Sequence, residues 1–488
     1  MTAKFVRDLL KYLPSMVVPA LIGLVTIPIV AHFFTPEDYG QYILVKITIS
    51  VLLIIIGWLS MAILRFYPEY EKNNRIEEFY STVVKLLFLS VFIVVFLFYV
   101  VLSLLKKSID SSLYSLMLIG LSIFVFNAVF DVLLNFLRIR REVNAYNVFR
   151  VWESVASLGL GVFLVFFIGM DVEGLLWGML ISLFFALPFL WKSAVKYFAM
   201  SSGFSKKLSL EMFTYGVPLM VGNLAAWVLS LSDRYILNIF YTSREVGIYS
   251  LSYAVSEKSI LFLSSLFLLA SRPLGMRIWE NEREDVAKEY ITNITRFYLI
   301  LSIPMVVGLS VLGELIINVV GSPEYYEGYR IISFVAVSGL LLGLQQEFQV
   351  PLIFKKKTNL IMLSILISGL LNIVLNFIFI PEYGYFAAAV STLVSYVVLL
   401  VSVIVFSRNF LIWKFPFKTL LRVLVCSAIM GFFIYLINNF LESSLFSLTI
   451  LVILGVIIYA ISIYIVGEIE KKEKHFLIEK IRYILKKI

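Results

Sequence analysis

One cysteine, Cys426, and two histidines, His32 and His475, are all the thiol and imidazole in 488 residues. A lone thiol cannot close a disulfide within the chain or build a cysteine metal site, and two imidazoles at opposite ends of the sequence form no metal-ligand cluster. There is no Gly-x-Ser-x-Gly elbow, no glycine loop that would cradle a phosphate, and no histidine-based site. Long hydrophilic stretches are missing too. The widest gaps between apolar runs, Tyr67 to Tyr80, Phe198 to Leu210 and Pro273 to Glu289, are each under about 20 residues, far short of an independent core. These absences argue against a metal or cofactor enzyme and against a catalytic ectodomain. Whatever the chain does, it does within its apolar segments.

Those segments dominate. The chain is 61% hydrophobic with a mean hydropathy of +0.95, where soluble proteins are about 45–50% apolar. Fourteen runs are each long enough for a bilayer core of about 30 Å: 12–34, 41–66, 81–105, 112–137, 148–169, 174–197, 213–240, 247–272, 290–312, 328–350, 358–380, 384–408, 416–440 and 446–467. The expected fold is an all-α polytopic membrane protein with about 14 transmembrane helices. Alternate loops hold 34 of the 41 Lys and Arg residues, while the opposite side has only Lys106, Lys107, Arg244 and Arg330. By the positive-inside rule both termini are cytoplasmic and the chain sits in the cytoplasmic membrane. The start does not read as a signal peptide, because Pro14, Pro19 and Pro28 punctuate a full-length span with no small-residue cleavage pattern after it. The net charge of +9 lies beside the spans, so anionic membrane lipid is the expected partner and nucleic acid is not. Beyond the last span, 468–488 reads as an amphipathic basic tail, with Leu477, Ile481, Ile484 and Ile488 on one face.

The chain repeats itself at an offset of 207. Residues 33–44 align with 240–251, with identities at Phe33, Thr35, Gly40, Tyr42 and Leu44, and with Asp38 matched to Glu245. A shift of six spans preserves orientation, which gives parallel repeats about an axis along the membrane normal. The expected organisation is a six-helix lobe over 1–205, a second over 206–410, and two added spans over 411–467. A cavity is expected between the lobes.

Charges inside spans cost about 2.5–3.5 kcal/mol each when they face lipid, so those present need an interior or a wet cavity. Lys46, Arg234 and Lys258 lie from the outer half to the midplane and are suited to hold an anion. Asp131, Glu153 and Glu347 lie near the inner ends of their spans. Two readings of these acids stay open: interfacial salt bridges to Arg138, Arg150 or Lys355, or coupling of a proton or sodium ion. Asp233 and Glu257 are further coupling candidates. Each adjoins a cation, but neighbours about 100° apart on a helix are not expected to neutralise one another. Polar stripes recur every four residues: Asn127, Asp131 and Asn135; Ser364, Ser368, Asn372 and Asn376. Asn223, Ser230 and Arg234 share a face. Such stripes either line a cavity or glue helices together, and Asn223, Asn372 and Asn376 are kept as cavity candidates.

With these motifs in place, the chain resembles the polysaccharide transporters, the O-antigen flippase type within the multidrug/oligosaccharidyl-lipid/polysaccharide exporter superfamily. The resemblance is carried by Thr35-Pro36-Glu37-Asp38-Tyr39-Gly40-Gln41-Tyr42, Asp233-Arg234-Tyr235-Ile236-Leu237 and Val246-Gly247-Ile248-Tyr249-Ser250. It continues in Leu371-Asn372-Ile373-Val374-Leu375-Asn376, followed by Ile380-Pro381-Glu382-Tyr383-Gly384. It departs at Ala387, where the family more often has Gly. The resemblance implies two six-helix lobes around a cationic cavity, and flipping of a polyprenyl-diphosphate-linked glycan from the inner to the outer leaflet. It also implies a polysaccharide polymerase and glycosyltransferases as pathway partners. Lys46, Arg234 and Lys258 would meet the diphosphate. The alternatives are an ion-coupled exporter of small soluble molecules and, less simply, a membrane glycosyltransferase built on Glu37-Asp38.

Overall fold

The computed structural model describes residues 11–195 and 203–468, and no strand occurs among them. Fifteen α-helices follow one another: α1 Leu13–Phe33, α2 Pro36–Lys72, α3 Ile76–Leu105, α4 Ser111–Ile139, α5 Val143–Ile168, α6 Glu173–Ala194, α7 Lys206–Leu231, α8 Asp233–Phe240 and α9 Ser243–Asn281. Then come α10 Glu284–Val320, a 3-10 turn Pro323–Gly328, α11 Tyr329–Phe348, α12 Val350–Phe354, α13 Thr358–Arg408, α14 Phe417–Asn438 and α15 Leu445–Ile465.

Among the described residues, twelve helices are long and apolar enough to cross a membrane, where about fourteen spans are expected. One of the twelve, α13, holds two of the expected spans. At about 1.5 Å per residue, the 51 residues of α13 would extend about 77 Å, more than twice a bilayer core. The helix turns at Gly384, whose φ of 57° and ψ of −141° suit a residue without Cβ. The expected runs 358–380 and 384–408 are therefore two helices that meet at a kink. The run 247–272 lies within α9, whose 39 residues are ample for a span. Of the expected basic tail, only Glu468 lies within the described residues.

The helices cluster into two compact units, one made of Met1–Ser250 with Gly369–Ala388, the other of Leu251–Ser368 with Ala389–Ile488. This division follows packing, whereas the expected 1–205 and 206–410 lobes follow the repeat. In the first unit, α2 is the central strut and packs on α4 and α7. It buries Leu44, Val45, Leu59 and Ile63 against a core that includes Phe79, Phe124, Phe130 and Phe136. Trp227 of α7 donates its indole N–H to Ser50 Oγ at 2.8 Å, and the Thr48 and Tyr235 hydroxyls meet at 2.5 Å. The outward face of α3 exposes Phe88, Phe92 and Phe96, a lipid-facing surface by composition.

The sequence repeat reappears as a contact within this unit. Thr35 caps α2, accepting from the Asp38 N–H at 3.2 Å and donating to the Asp38 carboxylate at 2.6 Å. At the repeat position, Thr242 donates to the Glu245 carboxylate at 2.7 Å ahead of α9. Both arrangements satisfy groups that a helix start leaves open. The two helix starts then press on one another reciprocally. A Cβ on Gly40 would lie 1.7 Å from the Ser243 carbonyl oxygen, and one on Gly247 would lie 1.8 Å from that of Pro36. Gly40 and Gly247 are 207 apart, as are Pro36 and Ser243, so the contact is self-complementary in the manner of a two-fold interface.

In the second unit, α10 gathers α11, α14 and α15 around Leu299, Ile303, Leu315, Val423, Cys426, Met430 and Leu451. A buried clamp fastens the end of α15. The Glu468 carboxylate accepts from Arg296 Nε at 2.9 Å, from Arg422 Nη1 at 2.9 Å and from the Thr419 hydroxyl, and Arg296 Nη2 donates to the Glu468 carbonyl. Burial pushes the Glu468 carboxyl up, but these hydrogen bonds and the Arg296 charge bring it below its ordinary value. A carboxylate lowered in the folded state stabilises at pH above its unfolded value and loses that contribution as pH falls through the folded one. The clamp is therefore expected to hold at neutral pH and to release only below the ordinary glutamate range of about 4.3. Thermal melts of wild type and Glu468→Gln should differ at pH 7 and converge on acidification. A difference that persists unchanged to pH 3 would contradict this.

Candidate functional site

Within the first unit, α2, α4, α5 and α7 leave a cavity of about 420 Å³, in the range of small-molecule sites. One wall is apolar, with Leu53, Ile54, Ile56 and Leu64 of α2. The other is polar, with Asp131, Asn135 and Arg138 of α4, Arg150 of α5 and Asn223 of α7. The helical period explains the polar wall: positions 131, 135 and 138 follow the i, i+4, i+7 spacing of one face.

The cations of this wall differ in state. Arg150 is held between two acids, donating from Nη2 to Asp131 Oδ1 at 3.0 Å and from Nη1 to Glu153 Oε2 at 2.7 Å. All three side chains keep between 23% and 32% exposure, so the group is neither sealed nor freely solvated. Arg138 is exposed on the same wall, and its guanidinium forms no hydrogen bond or ion pair among the described residues. Asn135 turns its amide N–H to the Asp131 carbonyl of its own helix at 2.9 Å.

The other expected site residues are dispersed. Arg234 is 4% exposed and Asp233 is 1% exposed. Contrary to the helical-wheel expectation, these neighbours do pair, with Arg234 Nη1 at 2.7 Å from Asp233 Oδ1. The reason is local. Ser232, between α7 and α8, keeps helical φ and ψ of −68° and −25°, so the pairing comes from the side chains: the Asp233 carboxylate bends to the Arg234 N–H at 2.9 Å, and the long arginine reaches back to it and to the Ser230 carbonyl at 2.7 Å. Tyr249 completes the group, donating to Asp233 Oδ2 at 2.5 Å while the guanidinium lies 4.9 Å from its ring centre. Lys46 is exposed, with its ammonium 5.2 Å from the Tyr42 ring centre. Asn223 lines the cavity. Asn372 and Asn376 are fully buried and bonded to one another, Asn376 Nδ2 to Asn372 Oδ1 at 2.9 Å.

Lys258, Glu257 and Glu347 belong to the second unit. Lys258 and Glu257 are half-buried on α9. Glu347 is 3% exposed and accepts no hydrogen bond among the described residues. Its carboxylate shares a small cavity with Arg272, Tyr290 and Ser271, leaving about 20 Å³ for water centres, enough for one water. Arg272 Nη2 donates to the Gln346 carbonyl, and Nη1 is buried without a partner.

Sequence reasoning had Arg138 and Arg150 as loop cations and as salt-bridge partners of the inner-end acids; the bridges of Arg150 to Asp131 and Glu153 are present, and what it missed is that both arginines line a cavity. The signal was present: the Asn127, Asp131, Asn135 stripe continues to Arg138 three residues on.

Comparison with known proteins places this architecture. A model described as "Polysaccharide biosynthesis protein" matches residues 5–279, and a second with the same description matches 282–456. The chain belongs to the polysaccharide biosynthesis protein family. Two relatives match part of it. One is the probable low-salt glycan biosynthesis flippase Agl15 of Haloferax volcanii, 25% identical over 61% of this chain and 63% of its own length. The other is an uncharacterized membrane protein of Methanocaldococcus jannaschii, 22% identical over 54% and 51%. The matched region thus spans about six-tenths and about half of these relatives. Among solved structures, the fold matches lipid II flippase MurJ in an inward closed conformation, with a TM-score of 0.75 at 18% identity, over 94% of this chain and 98% of that one. An inward-facing multidrug resistance MATE transporter of the MOP superfamily matches with a TM-score of 0.62 at 13% identity, over 82% and 97%. The family member described here therefore has the MOP transporter fold, all-helical and multi-pass.

Proposed function

We propose that this family member is a flippase that moves a polyprenyl-diphosphate-linked oligosaccharide from the inner to the outer leaflet of the cytoplasmic membrane. Its work is transport by alternating access, not covalent chemistry. The observation that carries the reading is the cavity of about 420 Å³ with an apolar wall and a wall bearing Arg138, Arg150 and Asn223. A diphosphate needs charge-assisted donors, a glycan needs amide and hydroxyl partners, and a polyprenyl tail needs only the bilayer. The name of the Haloferax relative, a glycan biosynthesis flippase, supports the same substrate class. With the basic loops cytoplasmic, Arg138 lies at the inner end of its span, where such a lipid would enter. The proposed anion contacts in the first unit are therefore Arg138 and Arg150, with Lys46 nearer the outer side; Lys258 of the second unit remains a separate candidate. Transport is proposed to be cation-coupled through Glu347, the buried acid with no hydrogen bond among the described residues.

Purified protein in proteoliposomes carrying a fluorescent polyprenyl-diphosphate oligosaccharide, read with an impermeant quencher, tests this reading. Protein-dependent leaflet exchange is expected, slowed when the ion gradient is collapsed and insensitive to the gradient in Glu347→Gln. Exchange that ignores the gradient in wild type would remove the coupling. Gradient-driven movement of a soluble dye with no lipid exchange would replace the flippase with a small-molecule exporter.

A further inference from the structure

We infer that Asp131 and Glu153 are an internal stand-in for the substrate's diphosphate, holding Arg150 until a dianionic headgroup displaces them. The inference rests on the flippase reading only for the identity of the headgroup. The geometry stands apart from it. Two carboxylates from two helices converge on one guanidinium, at 3.0 and 2.7 Å, on the wall of a cavity large enough for a ligand. An arginine with two acids has every strong acceptor it needs, and a monoanion has little advantage over the pair already present. A diphosphate differs. It presents two adjacent negative groups, and Arg138, exposed on the same wall without a partner among the described residues, stands ready for one of them. A ligand that bridges Arg138 and Arg150 gains a cation that the acids do not use, and so can displace at least one of them from Arg150. The carboxylates therefore set a threshold: they admit a dianionic diphosphate ester and turn away single phosphates and other monoanions, which is specificity obtained by a competing internal contact.

The acids and the ligand compete for one guanidinium, so their binding is reciprocally linked. Neutralising either acid should strengthen anion binding, the opposite of what an anion site with structural acids or a cation-coupling pair would show. The test is calorimetric titration of the full chain in lipid nanodiscs at neutral pH, with inorganic pyrophosphate and inorganic phosphate as probes. Asp131→Asn and Glu153→Gln should each bind pyrophosphate about tenfold more tightly than wild type, the gain expected when one charged acceptor stops competing. The preference for pyrophosphate over phosphate should narrow in both. Arg150→Gln should lose pyrophosphate binding. Glu153→Asp keeps the charge but withdraws the carboxylate by one methylene. It is the milder variant should the neutral ones fail to fold, and its affinity should rise by a smaller factor in the same direction. Unchanged or weakened pyrophosphate binding in the acid variants that melt like wild type overturns the inference. Leaflet exchange measured on the same preparations separates the two claims. The expected affinity shifts without any lipid exchange would sink the flippase reading and keep the stand-in; lipid exchange without the shifts would do the reverse.

Discussion

Gly40→Ala and Gly247→Ala are each expected to cost more than about 3 kcal/mol, beyond the usual range for overpacking a core. The cause is the reciprocal contact of the α2 and α9 helix starts, where an added methyl carbon would sit 1.7 Å or 1.8 Å from a backbone carbonyl oxygen. No side chain can rotate away from such a clash. The two helix backbones must separate by about 1.7 Å or more to reach ordinary contact, taking both capped first turns with them. Because the two glycines share one contact, the double variant should cost less than the two single costs added together, as coupled neighbours do. Gly308→Ala is the control, since a Cβ there meets nothing within 4 Å and a helix-interior glycine yields stability when replaced by alanine. Fluorescence-detected thermal melts in detergent give the comparison. Alanine variants at 40 and 247 that melt with wild type would show that the helix starts do not press together as described.

The second large effect falls on Asp233 and Arg234. Either alanine substitution strands a charge that is at most 4% exposed in the structure, and breaking such a pair costs about 3–5 kcal/mol. Removing both charges with Asp233→Leu and Arg234→Met in one chain should cost less than either single alanine, because no uncompensated ion remains. Folded yield and melting temperature of wild type and these three variants give the comparison. A double variant worse than both singles would mean that the pair is net stabilising and not merely mutually neutralising. The expected defect of Arg234→Ala is thus one of folding, which sets it apart from Arg138→Ala, where no partner among the described residues is orphaned.

Hydropathy made the helices legible because a span must be apolar whatever its neighbours do. Their ends were less so. Gly384 was readable as a break between runs and is a kink with non-helical φ and ψ, but α2 and α9 extend well past the expected 41–66 and 247–272. The repeat at 33–44 and 240–251 was legible and is a physical contact, since the same capping threonine and the same glycine recur at both helix starts. The site was half legible. The face carrying Asp131 and Asn135 follows from helical period, and Asn223 from its polarity in an apolar run. Arg150 was legible as a salt-bridge partner of Asp131 and Glu153, but the place of Arg138 and Arg150 on a cavity wall was not, because a cation at a span end reads first as an orientation signal. The pairing of Arg234 with Asp233 was missed because a helical wheel assumes rigid side chains. Arg272 beside Glu347 was out of reach, being a contact between residues 75 positions apart with no local signature.

The most direct measurement of the central claim is leaflet exchange by Arg138→Ala in proteoliposomes, beside wild type and empty vesicles, with folding checked by melting temperature. Losing a charge-assisted contact of about 1.5–3 kcal/mol predicts exchange slowed by roughly 10- to 100-fold in a protein that melts like wild type. Wild-type exchange in a folded Arg138→Ala protein would contradict the account, because the cavity of the first unit would then not be where the charged headgroup binds.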